Sequence, residues 1–335
     1  MKSSERYSQF ALCREMLQTG DIVTRLDLNA ISAFASRLTG PSVMLTGEGS
    51  SRIFPAKKTI RDARALGYKS SIMTEAATQA LEYDLSSSSV CVASNSGKTK
   101  ECVRLIRHLR SKGHGSIVGL VAAKGSPVEQ EADASYVLTC GGEDAVAATK
   151  SVMEQALFYD VLFRAANGKP LPDLRRLGSL ITETLVAPIP KEIVQAATGA
   201  SMLYWAGRND GVAEELTLKS NEIARRKSDF LEGTYAVHGI EEVMDPSDLI
   251  IVVDPFPEEE DKFAQVLVKG VGAKVVAISS RKTSFPTFLI PSCDGFSPYL
   301  QLAAGWNLLV EVGVGCGINL DKPQRARKVG NEFPG

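Results

Sequence analysis

Short apolar runs alternate with amphipathic stretches along the whole chain, and this alternation occurs twice in the same order. The first four runs are 42–47, 90–93, 116–121 and 136–138, and the second four are 202–207, 250–253, 274–279 and 288–290. The first three pairs lie about 160 residues apart, a spacing that indicates two copies of one unit, and the fourth pair is weaker. Apolar runs that alternate with helical segments are typical of parallel strands. The pattern predicts an α/β fold with two doubly wound, flavodoxin-like parallel-sheet domains in tandem.

A segment rich in turn residues separates the two copies. Residues 167–173 read Asn-Gly-Lys-Pro-Leu-Pro-Asp, and glycine and proline interrupt regular structure. We expect an N-terminal domain over residues 1–170 that carries a phosphate loop. A C-terminal domain over residues 171–335 would carry a catalytic helix and a C-terminal tail. A connecting helix is predicted from about Leu174 to Leu185.

Composition and charge exclude several classes of protein. The 335 residues are 44% hydrophobic and carry a net charge of −1, so we expect no nucleic-acid or membrane partner. The six cysteines form no Cys-x-x-Cys pair and the three histidines lack metal-ligand spacing, which predicts free thiols and no metal. The polar first residues lead into no long apolar run, so we expect a cytoplasmic protein without a signal peptide or membrane span.

Residues 94–99, Ser-Asn-Ser-Gly-Lys-Thr, lie between an apolar run and a segment with helical periodicity. Serine and threonine hydroxyls, a glycine and the free N–H groups of a helix start together favour phosphate. A P-loop is excluded because Val92 occupies its first glycine position. The dinucleotide fingerprint is excluded because Arg52 stands at its third glycine. An ordinary strand-to-helix turn with an N-cap serine remains the alternative.

In doubly wound sheets, ligands bind outside the carboxyl ends of the strands. We therefore expect residues 47–51 and 94–99 to form two walls of one pocket. The matching strand of the second copy ends at Asp254, where a carboxylate disfavours phosphate. We therefore expect the second copy to have a role in the site other than phosphate binding.

The segment 212–228 has apolar residues at helical spacing and is the candidate for that contribution. Lys219 and Glu222 would lie one turn apart, and from the helix alone a surface ion pair is the simpler interpretation. His238 precedes a glycine, a context in which a histidine is more often structural. Taken together, the carboxylate, the amine and the imidazole form an acid/base set suited to moving protons on a sugar.

Five motifs, taken in chain order, resemble motifs of the double sugar isomerase (SIS) domain family. The resemblance is to the isomerase half of glucosamine 6-phosphate synthase and to SIS-type glucosamine 6-phosphate deaminases. The motifs are Gly49-Ser50-Ser51, residues 94–99, residues 143–150, residues 218–222 followed by His238-Gly239, and Asp321-Lys322-Pro323 followed by Lys328. The resemblance covers nearly the whole chain and implies the same two-domain fold.

The resemblance also implies roles for individual residues. The substrate-binding residues it implies are Gly49, Ser50, Ser51, Ser94, Asn95 (through its backbone N–H), Ser96, Thr99, Val146 and Ala148. Glu222 would move a proton between C1 and C2, and His238 would open the sugar ring from the neighbouring subunit of a homodimer with shared active sites. Lys219 and Lys328 would stabilise the developing oxyanion. Such a mechanism needs neither a metal nor an organic cofactor, and the apolar stretch 306–314 could bury surface in the dimer.

Three departures from the family pattern limit what the resemblance implies. Asn95 replaces a glutamine, Lys98 replaces an acidic residue, and Ile240 replaces a proline. No nucleophilic cysteine follows Met1, so we expect no glutaminase activity. The expected function is an isomerase/deaminase acting on an amino sugar phosphate. The alternatives are an Amadori-product deglycase, a plain phosphosugar isomerase or, in another class, a non-catalytic sugar phosphate sensor.

Overall fold

Each half of the chain forms a five-stranded parallel sheet, and the two sheets share one strand order. The computed structural model describes residues 4–325 and residue 332. The first sheet has the order β2-β1-β3-β4-β5 and contains β1 (Ser42–Gly47), β2 (Ser71–Ala76), β3 (Ser88–Ala93), β4 (Ile117–Val121) and β5 (Ala134–Val137). The second has the order β7-β6-β8-β9-β10 and contains β6 (Leu203–Gly207), β7 (Ser228–Glu232), β8 (Leu249–Val253), β9 (Lys274–Ser279) and β10 (Thr287–Leu289). The predicted α/β architecture of two parallel sheets in tandem is confirmed.

Helices connect the strands in both halves. The α-helices of the described residues are α1 (Glu5–Ser8), α2 (Ala11–Thr24), α3 (Leu28–Ser32), α4 (Ile53–Leu66), α5 (Ala77–Ala80), α6 (Lys100–Ser111), α7 (Pro127–Glu131), α8 (Lys150–Ala166), α9 (Leu174–Val186), α10 (Lys191–Gly199), α11 (Val212–Glu222), α12 (Glu260–Phe263) and α13 (Ser297–Gly315). A π-helical segment, Ala264–Val271, follows α12. The predicted connecting helix is α9.

Two strands carry no apolar run and were not predicted. These strands, β2 and β7, occupy equivalent edge positions in their sheets. Every side chain of β2 is at least partly exposed, and Leu231 is the buried residue of β7. An edge strand packs fewer side chains against neighbours, so its sequence has less need of apolar residues.

The chain divides into two compact units. Of the described residues, the first-sheet unit contains 21–144, 148–176 and 332. The second-sheet unit contains 4–20, 145–147 and 177–325. The units thus differ from the predicted segments 1–170 and 171–335, mainly because the first twenty residues group with the second sheet.

The start of α2 shows why these residues group there. The Asp321 carboxylate accepts hydrogen bonds from the backbone N–H groups of Ala11 at 2.7 Å and Leu12 at 3.0 Å. Carboxylates at a helix N-terminus satisfy orphan donors and oppose the helix dipole. The hydroxyl of Tyr7 also donates to Glu311 on α13 at 2.5 Å. Both contacts lie within the second-sheet unit.

A buried ionic cluster joins α4 to α8 in the first-sheet unit. The Lys58 ammonium lies 2.6 Å from carboxylate oxygens of both Asp62 and Asp160, and all three side chains are buried. Burial alone would raise the pKa of Asp62, but Lys58 and Arg61 outweigh this effect and lower it. The Asp62 carboxylate therefore stays ionised inside the core.

The helix α13 is buried within the second-sheet unit. Trp306 has no exposed surface, and a Cβ at Gly305 would lie 2.2 Å from a methyl carbon of Leu216, so glycine allows α11 to approach closely. The expectation that residues 306–314 supply a dimer surface is therefore wrong, since these apolar side chains already fill this core. Among the described residues, no helix is long and apolar enough to cross a membrane. All six cysteines are free, as predicted.

Candidate functional site

The loop at residues 94–99 is shaped by hydrogen bonds among its own residues. Ser94 Oγ accepts from the N–H of Gly97 at 3.0 Å and lies 2.8 Å from Thr99 Oγ1. Gly97 has φ +64°, and a Cβ there would lie 2.0 Å from the hydroxyl of Ser126. The loop therefore requires glycine both for its backbone conformation and for the space beside it.

The loop leaves donors that an anion could use. Thr99 is the N-cap of α6, but its side chain makes no capping bond to the helix, so the expected alternative of a serine cap does not describe this turn. Ser96 Oγ accepts from the N–H of Lys98 at 3.2 Å, which leaves the serine hydroxyl proton available to donate. Hydroxyls beside an uncapped helix start favour the binding of an anion.

The first loop lies beside this one at the same sheet edge. Gly47 of β1 pairs in register with Ala93 of β3, so the segments that follow these strands are neighbours, as predicted. Residues Gly49–Ser51 form a single 3-10 turn in which Gly49 has φ +54°. Ser50 is buried, and Ser51 Oγ accepts from Gln155 Nε2 at 3.5 Å.

Glu143, for which the sequence predicted no role, links the loop at residues 94–99 to the segment before α8. Its buried carboxylate accepts from Asn95 Nδ2 at 3.0 Å, from Thr149 N at 2.7 Å and from Ser151 Oγ at 2.5 Å. Asn95, which replaces the family's glutamine, therefore uses its side chain to fix the loop. A single glutamate in a glycine-rich stretch gives too weak a sequence signal to reveal this.

The helix predicted to be catalytic is shorter than the segment 212–228. Helix α11 ends at Glu222, and the residues expected to complete a helix to 228 instead turn into β7. Arg225 has φ +49°, a conformation that ends a helix. Glu222 therefore lies at the C-terminal end of its helix.

Lys219 and Glu222 form a buried ion pair. The ammonium of Lys219 has no exposed surface and lies 2.7 Å from Glu222 Oε2 and 3.3 Å from Glu215 Oε1. The Glu222 side chain is 24% exposed. The surface ion pair favoured by the helix alone is therefore wrong, because this face of α11 packs against α13 and the second sheet.

Two predicted site residues line one cavity in the second-sheet unit. This cavity of about 460 Å³ is bordered by Val146, Asn221, Glu222, Arg225, Arg226, Lys227, Pro323, Gln324 and Arg325. Pockets of about 300–1,000 Å³ are typical of small-molecule sites. The cavity gives a ligand direct access to the Glu222 carboxylate. Ala148, also predicted to bind substrate, is half-buried and belongs to the first-sheet unit.

The structure does not bring His238 to Glu222 within one chain. His238 is exposed, and its hydrogen-bond partner among the described residues is Lys262, with Nε2 3.3 Å from Nζ. Lys328, the other predicted catalytic residue, lies outside the described residues. Within the described part of the chain, no cluster of three or more His, Cys, Asp or Glu side chains could hold a metal ion.

Comparison with known proteins bears on this arrangement. Residues 39–165 match the SIS domain family. The match covers both loops and the Glu143 segment, and the second-sheet unit repeats the strand order of the first sheet.

A sequence relative and two solved structures extend the comparison. The glutamine–fructose-6-phosphate aminotransferase of Aeropyrum pernix is 26% identical over 272 residues, which are 71% of this chain and 42% of that protein. This chain thus spans about two fifths of that relative's length. Tagatose-6-phosphate ketose/aldose isomerase of Escherichia coli has a TM-score of 0.79 at 15% identity, over 97% of this chain and all of that one. Glucosamine-6-phosphate deaminase of Thermotoga maritima has a TM-score of 0.75 at 18% identity, over 95% and 98%. These two structures therefore share the fold of this chain along nearly its whole length.

Proposed function

We propose that the protein is an aldose–ketose isomerase/deaminase that acts on an amino sugar phosphate. The observation that carries this proposal is Glu222, a carboxylate held by the buried Lys219 and open to a cavity of small-molecule size. Relatives named as sugar phosphate isomerases, aminotransferases and deaminases share the fold and support the same chemistry.

In this proposal the loop at residues 94–99 binds the phosphate. Ser96 donates its hydroxyl proton, and the first N–H groups of α6 face the anion. Glu222 takes the proton from C2 and returns it to C1. One carboxylate on a rigid helix can reach both adjacent carbons, so a single base suffices. Lys219 balances the charge that develops as the proton moves.

Amine release follows from the same proton transfer. Moving the C2 proton of a 2-amino aldose to C1 yields an imine at C2. Water adds to that carbon, the C–N bond breaks, and ammonia leaves with the ketose phosphate as the second product. The proposal assigns ring opening to His238, contributed by a second copy of the chain, and a role in proton transfer to Lys328.

The test is a turnover screen of the purified protein. Glucosamine 6-phosphate, fructose 6-phosphate and tagatose 6-phosphate would be offered, with release of ammonia and interconversion of aldose and ketose as readouts. Unphosphorylated glucosamine is the control, and we expect it to react much more slowly. Binding of the phosphates by calorimetry without any turnover would contradict an enzyme and favour a sugar phosphate sensor.

A further inference from the structure

One face of α8 contacts both of the loops that are predicted to bind the substrate. Ser151 and Gln155 lie one helical turn apart, so their side chains project from the same face of the helix. Ser151 Oγ accepts a hydrogen bond at 3.3 Å from Asn95 Nδ2, in the loop after β3. Gln155 Nε2 donates at 3.5 Å to Ser51 Oγ, in the loop after β1. All four residues belong to the first-sheet unit.

The partners of Ser151 account for its burial. Its hydroxyl donates to the Glu143 carboxylate at 2.5 Å, and the same carboxylate accepts from the Asn95 amide and from the N–H of Thr149. These bonds anchor the loop after β3 to the start of α8. Ser151 therefore serves the shape of that loop.

Gln155 lacks such a set of partners. The side chain has no exposed surface, and its Oε1 has no hydrogen-bond partner among the residues that the structure describes. A buried acceptor without a donor lowers stability, whereas an apolar side chain of the same length would avoid that cost. The polar contact that Gln155 does make is with Ser51. Stability alone therefore does not explain an amide at this position.

The contact with Gln155 determines what the Ser51 hydroxyl can do. A serine hydroxyl has one proton to donate and lone pairs that accept. Because the amide nitrogen of Gln155 donates to one of these lone pairs, the Ser51 proton stays free for another acceptor. A carboxylate in the place of the amide would take that proton, and Ser51 would then turn lone pairs toward an anion.

We propose that Gln155 is a positioning residue that directs the hydroxyl proton of Ser51 toward the phosphate of the substrate. The inference rests on the proposed function and adds to it a side chain that acts through Ser51 without touching the substrate. It also explains the unpaired oxygen of Gln155. The nitrogen of the amide must face Ser51, so the oxygen faces the core.

The experiment measures the Kd of inorganic phosphate by calorimetry and the KM and kcat of glucosamine 6-phosphate. Gln155→Glu keeps the shape of the side chain but replaces the donor by an acceptor. We expect it to raise the Kd of phosphate and the KM by about tenfold to a hundredfold, the range for one charge-assisted hydrogen bond. The value of kcat should stay nearly unchanged, because the proposal assigns proton transfer to Glu222. Gln155→Met removes the donor without adding an acceptor and should raise the Kd by about threefold to tenfold.

A double variant separates positioning from a general effect on the unit. In the Ser51→Ala background, Gln155→Met should leave the Kd of phosphate unchanged, because the hydroxyl that the amide orients is gone. Gln130→Glu adds the same charge as Gln155→Glu at an exposed position of α7. This control should bind phosphate as the wild type does.

The outcomes distinguish this inference from the proposed function. Wild-type affinity for phosphate in both Gln155 variants overturns the inference and leaves the phosphate site of the proposed function intact. A loss of affinity for Gln155→Met that is equal with and without Ser51 also overturns it, because the effect would then bypass the hydroxyl. If the wild type binds neither phosphate nor glucosamine 6-phosphate, both proposals are overturned. Urea unfolding of each variant checks the fold, and Gln155→Met decides the question if the buried glutamate prevents folding.

Discussion

The ammonium of Lys219 and the carboxylate of Glu222 lie 2.7 Å apart at the C-terminal end of α11, with the lysine fully buried and the glutamate partly exposed. The lysine also faces Glu215 at 3.3 Å, so two carboxylates share one ammonium. Burying such charges is costly unless they are paired. Lys219 pairs with both carboxylates, and the partly exposed Glu222 side chain lines a cavity.

Glu222→Gln should therefore lower turnover by about 10²–10⁴, because glutamine keeps the shape but cannot accept the proton. Substrate affinity measured by calorimetry should remain, since the phosphate would be bound by the other unit. Glu214→Gln, on the first turn of the same helix, is the matched control and should retain activity. Turnover of Glu222→Gln within a few-fold of wild type would remove this residue from the mechanism.

Ser96→Ala and Thr99→Ala should weaken binding of a phosphorylated sugar by about 1.5–3 kcal/mol each, the value of a charge-assisted hydrogen bond. The expected readout is a raised KM with little change in the free energy of unfolding. Ser111→Ala, at the far end of α6, provides a control whose KM should match wild type. Unchanged KM in both loop variants would show that the loop does not bind the phosphate.

Mixing inactive Glu222→Gln with inactive His238→Ala should restore part of the activity. The reason is that His238 is exposed and contacts Lys262 in its own chain, and the proposed function assigns ring opening to the imidazole of a second copy. Activity would be measured after the mixture has been incubated to allow subunit exchange. Sedimentation of the wild type gives the oligomeric state, and a monomer that is fully active would contradict the shared site.

Stability should depend on pH through the cluster of Lys58, Asp62 and Asp160. The lowered pKa of Asp62 means that its contribution is complete above the unfolded value of about 3.9 and is lost as the pH falls through the lower folded value. The difference in unfolding free energy between wild type and Asp62→Asn should be constant near neutral pH and shrink below about pH 4.

Urea unfolding at a series of pH values measures this difference. The control is Asp21→Asn, whose carboxylate forms an exposed pair with Arg25 and should contribute little at any pH. A wild-type advantage that persists undiminished well below pH 3 would show that Asp62 is not the titrating group.

The inner strands of both sheets could be predicted because parallel strands buried on both faces must be apolar, as residues 90–93 and 250–253 are. The edge strands β2 and β7 escaped prediction because their side chains remain partly exposed. The sequence predicted that residues 94–99 form a loop between a strand and a helix. It could not predict the hydrogen bonds within that loop. The role of Glu143 depends on which residues surround it in space, and spacing along the chain does not mark it.

The cap that Asp321 places on the first amides of α2 has a consequence for how the polypeptide can be cut. The second-sheet unit is discontinuous in the chain, since its core includes Leu12 and Met16 from α2 as well as residues beyond 177. A polypeptide that begins at residue 171 would lack these side chains and would leave the Asp321 carboxylate without the two N–H donors it now holds. The two sheets repeat one design, yet neither is a module that could be exchanged by a single cut at the segment joining them.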